Sequence, residues 1–333
     1  MAASGSEIRF GIDVGGTKSL GVIIDHGGDI IDTCRVPTTK GPEAITAAIL
    51  SVIEQLMRSN GIDAIVDGAF SVGIGIAGLV TPTGVVRASP NLVGIADFDV
   101  MSRVQGALGR PIAVDNDATC AMVAEWELGA ARGLSNAVLV TLGTGIGGSV
   151  VLGGMIQRGQ HGFVGEFGHL VVDPNGIDCV CGRRGCWERY ASGAGLAALG
   201  RRAAESGAAP RLLDAVHGRI NDISGEVVWQ LAAEGDSDAL GVVDEFCWWV
   251  ALGLANLTNA FDPAMIVLGG GLVRAADLYL DRIRHSFNEL LYSPELRPHP
   301  ELVVAQFGEF AGAVGAAVLG GSSRHRQEAP SGP

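Results

Sequence analysis

Two apolar runs near the start of the chain, Ile8-Arg9-Phe10-Gly11-Ile12 and Leu20-Gly21-Val22-Ile23-Ile24, flank the segment Asp13-Val14-Gly15-Gly16-Thr17-Lys18. Apolar stretches on either side of a glycine turn predict a β-hairpin. Apolar residues then recur at helical spacing (Ala44, Ile45, Ala48, Ile49, Val52, Ile53, Leu56), which predicts a helix over 43–58. The run Ala69 to Ile76 reads as a buried strand. Pro111 to Val114 reads as a short strand that ends at Asp115-Asn116-Asp117, with helix expected from Ala118 to Ala131. A second glycine-rich hairpin is predicted over 137–152, and a long apolar helix over 238–260 carries Trp248, Trp249 and Asn256. Pro263 to Leu268 reads as a strand running into Gly269-Gly270-Gly271. The small residues from Gly312 to Leu319 predict a helix whose glycines permit close backbone contact.

Strands and helices therefore alternate, which is an α/β pattern. The two glycine hairpins stand about 130 residues apart, an echo that predicts two similar domains facing a shared cleft. A chain of 333 residues with 47% hydrophobic content is long enough to build both cores. The formal net charge of -13 would repel a nucleic-acid backbone, so DNA and RNA are not expected as partners, whereas a small Mg-complexed nucleotide is compatible. Met1 to Glu7 shows neither a basic leader nor an apolar stretch, and Asn256, Thr258 and Asn259 interrupt the longest apolar helix, so no membrane association and a cytoplasmic location are expected. The polar stretch from Ser322 to Pro333 reads as a flexible tail.

Asp13-Val14-Gly15-Gly16-Thr17-Lys18 is not a Walker loop, because there Gly-Lys-Ser/Thr opens a helix and here Thr17-Lys18 opens a strand. Backbone N–H groups of such a turn can still face phosphate oxygens, with Asp13 placed to hold the water shell of a magnesium ion. Thr141-Leu142-Gly143-Thr144-Gly145-Ile146-Gly147-Gly148 gives the same reading more strongly. Gly269-Gly270-Gly271 is a third place where backbone can approach a nucleotide or cap a helix.

The sharpest signal is His169 followed by Cys179, Cys181 and Cys186. One imidazole and three thiolates complete a tetrahedral zinc shell, and with no position left for water such a zinc is structural. Glu166 and Glu188 are tethered to that loop, which would present two carboxylates to sugar hydroxyls, although both also read as solvated surface acids. Asp117 is the candidate general base, since phosphoryl transfer to an alcohol needs an acceptor for the hydroxyl proton. Asn116 beside it can bind a hydroxyl, and Asp115-Asn116-Asp117 also has the composition of a helix N-cap.

This set of residues resembles the ROK family of repressors and sugar kinases, and within it the bacterial ATP-dependent glucokinases. The resemblance runs from about Ile8 to Leu319. Its marks are Asp13 to Lys18, Asn116-Asp117-Ala118, Gly143 to Gly148, Gly165-Glu166-Phe167-Gly168-His169 and Cys179 to Glu188. It implies a two-domain actin-like ATPase (ribonuclease H-like) fold with an interdomain cleft: a smaller domain over 8–121 completed by a C-terminal helix over 311–321, a larger domain over 122–310 with the zinc loop, and a tail over 322–333. It further implies Asp117 as catalytic base and Asn116, Glu166, His169 and Glu188 as sugar ligands, with Gly78 and Asn91 added. Asp13, Gly15, Gly16, Thr17, Lys18, Thr141, Gly143, Thr144, Gly145 and Gly270 fall on the nucleotide side. ATP, Mg²⁺ and a structural Zn²⁺ are the implied cofactors, and a homodimer or homotetramer the implied assembly. The expected reaction is phosphorylation of glucose at its 6-hydroxyl. The alternatives are another hexose (N-acetylmannosamine, N-acetylglucosamine or fructose) or a non-catalytic sugar sensor. Repressor relatives carry a helix-turn-helix of roughly sixty residues, for which a hairpin reached at Asp13 leaves no room. Polyphosphate-using relatives typically lack the cysteine cluster, which favours ATP here.

Overall fold

The structure is a computed structural model that describes residues 8–62 and 70–322. The first seven residues and the tail from 323 onward lie outside the described residues, as does Ala69, where the third strand was expected to begin. In chain order the elements are β1 (Ile8–Val14), β2 (Lys18–Ile24), β3 (Ile30–Pro37), α1 (Pro42–Ser59), β4 (Phe70–Ile76), β5 (Val85–Ala88), β6 (Ala96–Asp99), α2 (Val100–Leu108), β7 (Ala113–Asn116) and α3 (Asp117–Glu127). Then come β8 (Ala137–Leu142), β9 (Ile146–Leu152), β10 (Met155–Ile156), α4 (Glu188–Ala191), α5 (Gly193–Glu205), α6 (Pro210–Ala215), α7 (Gly225–Ala233) and α8 (Ser237–Phe261). The chain finishes with β11 (Met265–Gly269), α9 (Ala276–Leu290), β12 (Glu301–Val304) and α10 (Ala311–Gly321).

These elements form two compact units. The first holds the described residues through Gly133, Met155–Gly165 and those from Glu309 to Ser322. Its sheet runs β3-β2-β1-β4-β7, antiparallel across β3, β2 and β1 and parallel from β1 to β4 to β7. β4 is buried nearly throughout, and β1 at Phe10–Ile12 and Val14, because helices cover both faces of the sheet. On one face α1 lays down Ile45, Ile49, Val52, Ile53 and Leu56, with Val52 so close to Gly21 that a Cβ there would lie 2.1 Å from its Cγ1. Gly21 pairs with Ile12, one residue on from Gly11 and therefore on the opposite face. On that other face α10 lies directly on the strands: a Cβ at Gly11 would stand 1.9 Å from the carbonyl of Ala313, and one at Gly73 1.8 Å from that of Ala316. Every residue of α10 from Ala311 to Leu319 is buried.

The second unit holds Leu134–Gly154 and Glu166–Gly308. Its sheet carries β9-β8-β11-β12 in that order, with β9 antiparallel to β8 and the rest parallel. This repeats the pattern β2-β1-β4-β7 of the first sheet: a hairpin whose first strand then pairs in parallel with two later strands. α8 is the one helix among the described residues long and apolar enough to cross a membrane by composition, and 56% of its apolar window is buried inside the unit. There it packs against α9, α7 and α5, with Gly253 under the ring of Trp187.

Two boundaries differ from the sequence reading. α3 runs unbroken through 121/122, where one domain was expected to give way to the next, and the first unit continues to Gly133 and takes in Met155–Gly165. The reason is packing, since α3 is buried from Ala118 to Glu125 and lies against α10. α3 also stops at Glu127 and does not reach Ala131: Glu125 turns its carboxylate onto the Ala130 N–H at 3.0 Å and its carbonyl receives the Ala131 N–H. The apolar character beyond Glu127 belongs to that turn.

Candidate functional site

In the first unit the candidate residues collect at the carboxyl ends of the parallel strands, where open α/β sheets place their chemistry. β1, β4 and β7 are in register (Asp13↔Gly75, Ile76↔Asn116), so Asp13, the Gly78 loop and Asn116-Asp117 end side by side. Asn116 is the N-cap of α3. Its Oδ1 accepts from the N–H groups of Ala118 and Thr119 at 2.9 and 3.1 Å, and its Nδ2 donates to the Gly78 carbonyl at 3.1 Å. Gly78 holds φ at +125°, with Ala88 O only 2.5 Å from where a Cβ would be, so no other residue fits there. Asp117 opens the helix, and its Oδ1 accepts from the Ala118 N–H at 2.9 Å.

Burial pushes the Asp117 carboxyl above its ordinary range, against the pull of the Ala118 N–H, its own N–H and the Asn116 side chain. Burial, and then the charge of Asp117, raise Asp13 to about 7, with Lys18 acting the other way. Asp13 leans on the first turn of α10, where a Cβ at Gly312 would lie 2.9 Å from its carboxyl group. The turn Gly15-Gly16-Thr17 closes with the Gly15 N–H on the Lys18 carbonyl at 3.1 Å, and Gly16 abuts the backbone of Asn91. Lys18 reaches Glu309 at 3.2 Å, and Arg35 reaches the same carboxylate at 2.9 Å. The hydrogen bonds from Arg35 and Lys18 hold Glu309 below its ordinary pKa. Glu309 was not singled out by the sequence, where nothing marks a partner so distant in the chain.

In the second unit the potential ligand atoms of His169, Cys179, Cys181 and Cys186 all lie within 4.8 Å of one another. Cys181 and Cys186 are 3.5 Å apart, and Cys179 lies 3.8 Å from His169 Nδ1. Tetrahedral bonds of about 2.3 Å place ligand atoms roughly 3.8 Å apart, so these groups can close on one metal ion with small adjustments. Burial and neighbouring thiols push the Cys186 thiol up to about 12 and burial also raises Cys179, while at Cys181 the Arg183 N–H and the other two cysteines outweigh burial and lower it. Three thiols so close ionise together only beside a cation, which is the setting of a metal site.

Three contacts connect this cluster to the acids. His169 Nδ1 and Cys179 Sγ approach Glu188 Oε1 at 3.7 and 3.4 Å, and His169 Nε2 faces Glu166 Oε2 at 3.9 Å. The imidazole thus turns one nitrogen toward the cysteines and the other toward Glu166. Glu188 is mostly buried and Glu166 exposed. The second glycine hairpin closes on the same place. Gly143 N–H donates to the Gly145 carbonyl at 3.0 Å, and a Cβ at Gly145 would sit 2.7 Å from Glu188 Oε2. The Gly143 carbonyl accepts from Gly193 N–H at the start of α5, and Gly270, at φ +86°, comes against Leu142. Thr144 is exposed at the tip, whereas the Thr141 hydroxyl accepts from the Gly147 N–H at 3.1 Å inside the hairpin.

An α/β chain with this paired sheet pattern, strand-end acids and glycine hairpins belongs to the ROK family, whose model matches residues 9–322. It is 37% identical over 315 residues to a glucokinase of Streptomyces coelicolor, covering 94% of this chain and 97% of that one. It is 31% identical to an N-acetylmannosamine kinase of Citrobacter koseri, covering 92% of this chain and 97% of that one. Among solved structures, a ROK family glucokinase from Streptomyces griseus in complex with glucose and AMPPNP superposes with a TM-score of 0.83 at 36% identity, over 94% of this chain and 99% of that one. The fold is that of the actin-like sugar kinases.

Proposed function

We propose that this chain is an ATP-dependent glucokinase that transfers the γ-phosphoryl group of ATP to the 6-hydroxyl of glucose. The observation that carries the reading is Asp117: a carboxylate at the first position of a capped helix, at the carboxyl end of a parallel strand, with its pKa raised by burial. Such a group accepts a proton well at neutral pH. The glucokinase of Streptomyces coelicolor, 37% identical along nearly the whole chain, points to glucose as the acceptor.

In this reading Asp117 takes the proton of the attacking hydroxyl as the bond to phosphorus forms. Asn116, Gly78, Asn91, Glu166, His169 and Glu188 are the residues that bind the sugar hydroxyls. Carboxylates accept from hydroxyls, so Glu166 and Glu188 orient the ring by fixing which hydroxyls donate. The turns at Gly15-Gly16-Thr17-Lys18 and Gly143-Thr144-Gly145, with Thr141 and Gly270, form the nucleotide side, where backbone N–H groups face phosphate oxygens. Asp13 fits a magnesium ion as a buried carboxylate whose ionised form needs a cation beside it; bound there, the ion would neutralise phosphate charge. His169, Cys179, Cys181 and Cys186 fit a structural zinc, which would hold the loop carrying Glu166 and Glu188 in shape. The working assembly is a homodimer or homotetramer.

A second reading, a kinase for N-acetylmannosamine, is favoured by the 31% identical Citrobacter koseri relative. The test is an ADP-coupled assay of zinc-replete protein with Mg-ATP and glucose, mannose, fructose, N-acetylglucosamine and N-acetylmannosamine. Glucose is expected to give the highest kcat/KM. A preference of tenfold or more for an N-acetyl sugar would move the substrate, and sugar binding without any ADP release would overturn the kinase.

A further inference from the structure

Arg158 belongs to none of the motifs above. Its Nε donates to Asp115 Oδ2 at 2.8 Å, with the two side chains only 24% and 12% exposed. The other oxygen of that carboxylate accepts from the N–H of Asn116 at 2.9 Å. One buried carboxylate therefore joins the backbone immediately before Asp117 to a cation 43 residues further along the chain.

Two features give this link something to do. β7 is an edge strand of four residues whose only strand neighbour among the described residues is β4, through Gly73↔Ala113 to Ile76↔Asn116. A short strand hydrogen-bonded along one flank does little to fix its own end. The segment that carries Arg158 is meanwhile itself held: Val164 N–H donates to the Arg158 carbonyl at 3.2 Å, and Gly162, at φ +89°, lies so close to Val80 that a Cβ would stand 2.3 Å from its carbonyl oxygen. Both Val80 and Asp115 belong to the first unit, as does Met155–Gly165. The salt bridge is thus an anchor between a docked segment and the free flank of the strand that ends in Asn116.

We infer that Arg158 is a positioning residue for phosphoryl transfer: by pairing with Asp115 it fixes the end of β7, and with it Asn116 and Asp117. This rests on the kinase reading above. Loss of the cation would leave a buried carboxylate two residues from the base with only the Asn116 N–H on it and no opposite charge, both loosening the strand end and adding a like charge nearby.

The test uses full-length Arg158→Met, Arg158→Lys and the double variant Asp115→Asn/Arg158→Met, each measured for kcat, KM, Tm and amide exchange over 113–119. Arg158→Met is expected to lower kcat by about 10–100-fold, the scale of a small misplacement of a reacting group, with the KM for ATP nearly unchanged. Arg158→Lys should recover most of the loss, because the native pair uses a single N–H donor. The double variant removes the stranded charge and should regain Tm without regaining kcat. In Arg158→Met and in the double variant, exchange at Asn116, Ala118 and Thr119 should be faster. A kcat within twofold of wild type for Arg158→Met, or recovery of kcat together with Tm in the double variant, would overturn the inference. Should wild type turn over no sugar, the kinase reading falls by itself. Exchange at those three amides then decides the role of Arg158, and unchanged exchange overturns it.

Discussion

The two units share a strand pattern yet secure their polar residues by opposite means. In the first, β2-β1-β4-β7 delivers Asp13, Asn116 and Asp117 from strand ends and a helix cap, so each side chain is placed by regular backbone. In the second, β9-β8-β11-β12 supplies the glycine turn, but Glu166 and Glu188 stand at the two ends of a stretch with little regular structure, Glu188 opening the four-residue α4: between them lie a single 3₁₀ turn at Phe167–His169 and isolated bridges at Val171↔Cys186 and Asp178↔Arg184. What the α3 cap and the pairing of Asp115 with Arg158 do for Asp117, the His-Cys donor set would do for Glu188 on binding zinc. In the proposed reading the first unit thus relies on packing and side-chain pairing, and the second on an ion.

The strongest way to sharpen that contrast is Asp117→Ala. Turnover should fall by roughly 10²–10⁴ while glucose affinity stays near wild type, because the base acts on the reacting proton. Calorimetric binding beside steady-state kinetics reads both, and turnover within a few-fold of wild type would end the assignment. Cys181→Ser probes the other unit. It should release zinc and weaken glucose binding by about 10–100-fold, the usual effect of disturbing what supports a metal-held site. Elemental analysis still finding one tightly bound zinc, with unchanged affinity, would refute the coordination model.

The smallest effect concerns pH. Asp13 has its folded pKa raised to about 7 from 3.8, so the folded protein holds a proton there that the unfolded chain has lost. Its contribution to stability is complete below pH 3.8 and falls away as pH rises through about 7. Asp13→Asn should accordingly raise Tm by a few degrees at pH 8 in metal-free buffer and by progressively less toward pH 5. A Tm difference that does not change with pH would show that Asp13 ionises freely in the folded protein.

Much of this was legible because it is local. Both hairpins, the long helix α8, the small-residue helix α10 and the spacing of His169 with its three cysteines are written in contiguous residues, and a glycine between apolar runs has few other uses. What was not legible depends on partners far away in the chain. Nothing near Lys18 announces Glu309, and nothing near Asp115 announces Arg158. That Asn116 would spend its amide on the Gly78 carbonyl follows from two parallel strands lying side by side, a fact of pairing that no single segment carries. The misplaced boundary at 121/122 has the same origin, since α3 is assigned to its unit by α10, almost 200 residues later.

That last dependence bears on how the protein is made. β1 to β7 leave the ribosome by Asn116, but the helix that covers one face of their sheet begins only at Ala311. At 5–20 residues per second, roughly 10–40 s pass with Gly11 and Gly73 open where Ala313 and Ala316 will later sit. Until its final turns of helix emerge, the nascent chain thus presents uncovered sheet surface to whatever surrounds it.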